Sequence, residues 1–332
     1  MSESPQSSDD GRVDGDAAGS SWDIDWNRLL RSWGYYLVLL ALVVFYLLPI
    51  ETGLVTSIKT SVGLRESLPF LLPGTDISLE IPILHVDVDA MLEQTTDEKW
   101  REAWDTLSRG MVNSMLFTIP STLLCAILGS MAAYGLTLVK WRGQVAVLAL
   151  FIAGIFIPYQ AVIIPLTEFY SMVDLQYRLG AIWALPFLDP ERHPTILELI
   201  ITHTAYGIPI CTVLFRAQYQ TMSWEMIEAA RLDGAGLWRI YRRIVLPLSI
   251  PMFSVVFIFQ FTQIWNEFLF SITLIRSTAD PAASVTLILG QLGQAIEGTD
   301  FPLRMAGAFV AAAPTLIVYI LFTDKFAEGV RV

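Results

Sequence analysis

Apolar residues along this chain gather into six long blocks, at approximately residues 34–55, 111–137, 145–167, 196–217, 252–275 and 303–322. A hydrocarbon core of roughly 30 Å takes about 20 helical residues to cross, so each block predicts a membrane-spanning helix. The fourth is the most interrupted, because Glu198, His203 and Pro209 fall inside it. Gly and Pro within such blocks are compatible with spanning helices whose neighbours re-satisfy the backbone. The pattern predicts an all-α membrane protein with six transmembrane helices. It also divides the chain. Residues 1–30 read as a disordered acidic tail, and 31–110 as a first span followed by a long polar loop. Residues 111–325 read as a five-helix core carrying an exposed loop at 218–251, and 326–332 as a short C-terminus.

The 218–251 loop has structure of its own. Ser223 predicts a helix cap, and Glu225 places negative charge in the first turn behind it. No breaker follows until Gly234, which ends that helix because glycine alone adopts φ > 0 cheaply. A second helix is predicted from about Leu237 to Val245. Leu237, Ile240, Tyr241 and Ile244 recur on one apolar face, and Arg239, Arg242 and Arg243 on a basic one. Gly236 stands where a Ser or Thr cap would open this second helix, which weakens its start. Pro247 and Pro251 bracket the turn into the next span. Two short helices with a glycine bend, carrying acid and base at a membrane surface, make a docking knob.

Composition sharpens the membrane assignment. Of 332 residues, 54% are hydrophobic and only 16% charged, with mean hydropathy +0.54. No cleavable signal peptide is expected, since the opening is acidic and the first apolar block is too long for one. Trp22, Trp26 and Trp33 suit an interfacial belt at its start. Lys140 and Arg142 in the 138–144 link, with Arg216, Arg231, Arg239, Arg242 and Arg243 around the knob, place these loops and both termini on the cytoplasmic side. Cys125 and Cys211 lie inside apolar blocks and read as packing residues, with no disulfide and no metal site. The net charge of −11 excludes a nucleic-acid partner. Its acid sits in the tail and in the 56–110 loop, which suits a chain adapted to high salt. Asp87 and Asp89 lack the central glycine of a calcium loop. Residues Thr95–Arg109 predict a short amphipathic surface helix with Trp100 and Trp104 at i, i+4. There is no phosphate-binding loop, so any energy from ATP must come from a separate subunit.

The knob carries a spaced motif: Glu228-Ala229-Ala230, three residues, Gly234, nine residues, Ile244, one residue, Leu246-Pro247. It resembles the signature loop of permease subunits in binding-protein-dependent ABC importers. Lesser elements extend the resemblance over roughly residues 30–332. They are Asn113-Ser114, Pro158-Tyr159-Gln160, Ile164-Pro165-Leu166, Gly207-Ile208-Pro209, Phe215-Arg216, Trp265-Asn266-Glu267-Phe268 and Phe326-Ala327-Glu328-Gly329. Together they point to the carbohydrate-uptake branch, and within it the chain is similar to the smaller maltose-type permease. The resemblance implies a type I importer fold and a multi-pass place in the cell membrane. It implies a second homologous permease, two ABC ATPase subunits that bind the ATP, an extracytoplasmic solute-binding protein and no cofactor or catalytic residue in this chain. It also implies ATPase coupling through Glu228, Ala229, Ala230, Asp233, Gly234, Ala235, Ile244, Leu246 and Pro247.

Two readings stay open for Trp265, Asn266 and Glu267. They line a pore that contacts passing sugar, or they hydrogen-bond between helices. His203 is a ligand or a buried, hydrogen-bonded histidine. Pro158, Pro165 and Pro209 are kinks that let helices move, or inert features of span ends. A secondary transporter is the rival of a different class, but it predicts internal repeats and several intramembrane carboxylates. A membrane scaffold, the third reading, requires no docking loop.

Overall fold

A computed structural model describes residues 26–77, 84–275, 277–295 and 298–330. The acidic tail, with Trp22 and its aspartates up to Asp25, lies outside them. The described chain is helical apart from two short antiparallel ribbons, and it divides into two units at Ile50.

Helix α1 (Trp26–Ser57) presents apolar side chains on all sides from Trp33 to Ile50, the pattern of a segment solvated by lipid. The polar stretch after it holds α2 (Ser61–Glu66), the ribbon β1–β2 (Thr75–Ile77 with Leu84–Val86) and α3 (Val88–Gln94). Next comes α4 (Glu98–Thr137), 40 residues without a break. The expected surface helix and second span are therefore one element, and the boundary drawn at residue 110 falls inside it. Gly110 does not end the helix because it serves as a contact point. A Cβ there would sit 2.8 Å from Ile288 and 3.0 Å from the backbone of Val285. Trp100 is drawn inward, donating to Ser57 Oγ at 3.1 Å and stacking on Phe309, so Trp104 alone of the pair faces outward.

The third block is not one span. Helices α5 (Gln144–Ile155) and α6 (Tyr159–Val173) meet at a 99° bend that includes the short α7 (Leu175–Arg178) on the second arm. Pro158 makes the corner: it lacks an N–H and pushes Ile157 out of helical geometry. After α8 (Gly180–Trp183), α9 (His193–Tyr219) runs unbroken through His203 and Pro209, where the sequence looked most interrupted. The knob follows as α10 (Trp224–Leu232), α11 (Leu237–Ile240), a π turn (Tyr241–Val245) and α12 (Leu246–Leu248). Helix α13 (Ile250–Trp265) stops ten residues short of the expected end, and α14 (Leu269–Leu274) begins after a break. Then come α15 (Val285–Gln291), the ribbon β3–β4 (Gln294–Ala295 with Gly298–Thr299) and α16 (Phe301–Val330). Among the described residues, four helices are long and apolar enough to span a membrane, or six if each bent pair counts as one span.

The core has two parts. Leu107, Phe117, Leu199, Phe261, Trp265 and Phe270 anchor one; Ala133, Phe215, Tyr219, Ile227, Ile240 and Val245 anchor the other. Helices α4 and α9 run through both at close range. A Cβ on Gly129 would lie 2.6 Å from Cys211 Cβ, and one on Gly207 2.3 Å from Cys125 Sγ. Both cysteines are free and buried at this crossing, where small residues let backbones approach. Asn113 and Ser114 also act as structural fasteners. Asn113 Nδ2 donates to the carbonyls of Pro281 and Ala283, each at 2.8 Å, and Ser114 Oγ accepts from Val285 N at 2.9 Å.

Candidate coupling site

The knob begins where expected. Ser223 Oγ accepts from Met226 N at 3.3 Å and donates to Glu225 Oε2 at 2.8 Å. A backbone amide and this hydroxyl hold the Glu225 carboxyl below the usual glutamate range. The helix ends in a Schellman arrangement. Gly234 N donates to Arg231 O and Ala235 N to Ala230 O, both at 3.0 Å, with Gly234 at φ +77°. No atom lies within 4 Å of where a Gly234 Cβ would stand, so the backbone conformation alone selects glycine there.

The second half departs from the expected regular helix over Leu237–Val245. Only four residues are α-helical before the π turn closes with Leu246 N donating to Tyr241 O. The wider turn gathers Ile240, Tyr241 and Val245 on the buried side, and it leaves Leu237 half exposed. Gly236 caps without a side chain. Tyr134 Oη, from α4, ties this helix start to the core by donating to Leu237 O at 3.0 Å.

The knob is braced against the ends of α4 and α9. Arg231 Nη2 donates to Leu138 O at 2.7 Å, and Arg216 Nη1 to Leu136 O at 2.6 Å. Both cations therefore satisfy carbonyls left over at the C-terminus of α4, where the helix dipole also favours them. Lys140 Nζ and the Arg231 guanidinium lie 4.5 and 5.2 Å from the centre of the Trp224 ring. Beneath, Ser130 Oγ bonds Tyr219 Oη at 2.6 Å and Tyr241 Oη at 2.9 Å, joining α4, α9 and the π turn.

This bracing divides the motif residues by role. Ala230, Ala235, Ile244 and Leu246 turn toward the core, while Glu228, Ala229, Asp233, Gly234 and Pro247 are exposed. Arg239, Arg242 and Arg243 are exposed as well. The open surface also presents Leu232, 84% exposed, and Trp238, 61% exposed, which the sequence pattern did not single out. Apolar side chains rimmed by acid and base form the anatomy of a protein interface. The bracing residues Ser130, Tyr134 and Tyr219 were also missed. Their only sequence signal is a polar group near the end of an apolar block.

The second candidate cluster comes apart. Trp265 is buried, stacks on Phe261, and donates its indole N–H to Ala311 O at 2.9 Å. It is a packing residue, with no free face for a solute in this conformation. Asn266 is exposed and caps α13 through Thr262 O at 2.9 Å. The Glu267 carboxylate accepts from Leu269 N at 2.5 Å and from Phe270 N at 2.9 Å, which explains the new helix start. His203 is buried between Phe117 and Phe270, its Nε2 3.9 Å from Glu267 Oε2. No group of three or more His, Cys, Asp or Glu side chains able to hold a metal ion occurs among the described residues.

A helical membrane chain with bent spans and a braced, charged knob between two of them is built as a permease. It belongs to the family described as the binding-protein-dependent transport system inner membrane component, whose pattern matches residues 126–328. It is thus a multi-pass inner-membrane permease subunit of an importer that works with a binding protein. It is 44% identical over 305 residues to the xylose/arabinose import permease protein XacI of Haloferax volcanii, covering 91% of this chain and 93% of that one. Identity to the glucose import system permease protein GlcU of Saccharolobus solfataricus is 27%, over 89% of this chain and 92% of the relative. The fold matches a chain of a bacterial ABC transporter involved in the import of the acidic polysaccharide alginate. That match has a TM-score of 0.63 at 16% identity and covers 90% of this chain and 98% of the other.

Proposed function

We propose that this chain forms half of the translocation path of an ATP-driven importer for a neutral sugar, and that its knob couples the path to a separate ATPase. Similarity to the xylose/arabinose permease supports a pentose as cargo. The observation that carries the coupling role is the bracing of an exposed, charged tip onto α4 and α9 through Arg231, Tyr134 and Tyr241. A push on such a tip moves the spans, because the two share buried packing rather than a slack linker.

In this reading Glu228 and Asp233 contact the ATPase, Gly234 shapes the tip, and Ile244, Leu246 and Pro247 seat its base. The knob and both termini face the cytoplasm. A second homologous permease completes the path, two ABC ATPases drive it, and an extracytoplasmic binding protein delivers the sugar. Asn266, exposed at the break between α13 and α14, stays in the proposed solute path, while Glu267 supports it from behind.

The test is uptake of labelled pentose in cells carrying the whole transporter. Uptake that collapses on ATP depletion and survives an uncoupler supports ATP-driven import. Uptake with the reverse sensitivity would assign the chain to ion-driven transport.

A further inference from the structure

Four polar side chains converge on one cleft between candidate spans, three of them without hydrogen-bond partners among the described residues. The cleft, about 240 Å³, lies between the α5–α6 bend, the middle of α9 and the middle of α13. Tyr159, Tyr206, Gln260 and Gln263 supply its polar lining. Neither phenol hydroxyl, and no atom of the Gln263 amide, hydrogen-bonds to another described residue. Among the described residues Gln260 takes part in only one side-chain hydrogen bond, a long one of 3.7 Å from Cys211 Sγ. Unpaired amides and phenols at this depth are costly against lipid, so they belong to a face that meets polar matter.

The geometry is that of a shelf and two hands. Tyr159 and Tyr206 meet edge to face at 4.9 Å, and both rest on Phe270, at 4.9 and 5.2 Å. Phe270 is in turn held by its amide on the Glu267 carboxylate. Gln260 and Gln263 rise from one side, each offering a donor and an acceptor on the same amide. Gly207 keeps the space open, since a Cβ there would lie 2.5 Å from Gln260 Nε2 and drive that side chain into the cleft. No charged residue lines the cleft.

We propose that this cleft is a subsite for one ring of a neutral sugar. Gln260, Gln263 and the Tyr159 and Tyr206 hydroxyls bond its hydroxyls, and the tyrosine rings supply apolar surface for its C–H face. The volume falls below the roughly 300–1,000 Å³ of drug-sized sites, which suits a single ring. The lack of charge favours a neutral ring over a uronate. The proposal rests on the sugar-import reading and goes further, because it has this permease itself touch the cargo.

The test uses the whole transporter with its binding protein, in proteoliposomes, with xylose and a set of monodeoxy xyloses as probes. If the wild type carries no neutral sugar, the import reading fails before the cleft is tested. Given wild-type transport, Gln263→Ala and Tyr206→Phe should each slow xylose uptake roughly 3- to 10-fold, the effect of one lost hydrogen bond. The complex should still elute intact with its ATPase and partner permease. One deoxy sugar should be slow in the wild type and no slower in Gln263→Ala, a pattern that structural damage would not produce. Two results would overturn the proposal. One is unchanged uptake in Gln263→Ala, Tyr206→Phe and the double variant. The other is a loss of uptake that tracks dissociation of the partner permease, which would make the cleft a helix-packing face.

Discussion

Arg231, the residue that follows Glu-Ala-Ala, donates through Nη2 to the carbonyl of Leu138 at 2.7 Å, 93 residues earlier in the chain. One side chain thus ties the tip of the knob to the capped end of α4. Leu138 is itself the C-cap of that helix, so the bond closes off a carbonyl that no intrahelical donor can reach. Replacing Arg231 with alanine should cost about 1.5–3 kcal/mol at the joint, the range for a hydrogen bond to a charged group. ATP hydrolysis should persist while sugar delivered per ATP falls. The paired measurement of hydrolysis and uptake in proteoliposomes checks this, and an unchanged ratio would mean the tie carries no force.

Gly234 is constrained by conformation and by nothing steric. Gly234→Ala and Gly234→Val should therefore fold and insert, at a cost of roughly 1–2 kcal/mol for a left-handed residue. Valine should suffer more than alanine because β-branching resists φ > 0. The strain would fall on the Ala235–Ala230 bond that closes the tip. Affinity for the detergent-solubilised ATPase, measured by calorimetry, should drop in the order glycine, alanine, valine. Equal binding by all three would show that the bend does not shape the contact.

Much of this knob was legible because its devices are local. A serine cap, a glycine at the left-handed position and the spacing to Leu246-Pro247 each depend on a few neighbouring residues. The bracing was not legible, since Tyr134 and Leu237 meet across 103 residues. Blocks of apolar residues located the candidate spans but not their straightness. Pro209 lies inside an unbroken helix while Pro158 turns the chain by 99°, and only the packing around each decides between them. Trp265 shows the same limit. A tryptophan beside an amide and a carboxylate reads as a sugar platform or as a bond between helices, and only Ala311 taking its N–H decides for the second.

Acid should loosen the start of the knob. The Glu225 carboxyl is held below its ordinary range by a backbone amide and by Ser223 Oγ. For a carboxyl depressed in the folded state, the stabilisation is full above the unfolded value, near 4.3. It is lost as the pH falls through the lower folded value. Hydrogen exchange at Met226 and its neighbours should accordingly quicken on the acid side of pH 4.3, beyond the intrinsic exchange trend, and stay flat relative to it from pH 5 to 8. Ser223→Ala should weaken the cap by about 1 kcal/mol at neutral pH and shrink the acid step. An acid step of wild-type size in that variant would exclude the Ser223–Glu225 bond as its origin.

Glu267 offers the sharpest separation of a supporting role from a contacting one. Its carboxylate holds the amides of Leu269 and Phe270, and Phe270 carries both Tyr159 and Tyr206. Glu267→Gln keeps one acceptor oxygen and should retain most of the helix start, whereas Glu267→Ala leaves two amides unpaired at about 1–3 kcal/mol each. If the residue acts through the shelf, alanine should raise the KM for sugar release into the membrane path and lower the melting temperature together. Glutamine should restore the greater part of both. Were Glu267 instead a direct sugar contact or a proton carrier, glutamine would be as inactive as alanine while melting like the wild type. Thermal melts and uptake kinetics on the two variants, run side by side, distinguish these outcomes.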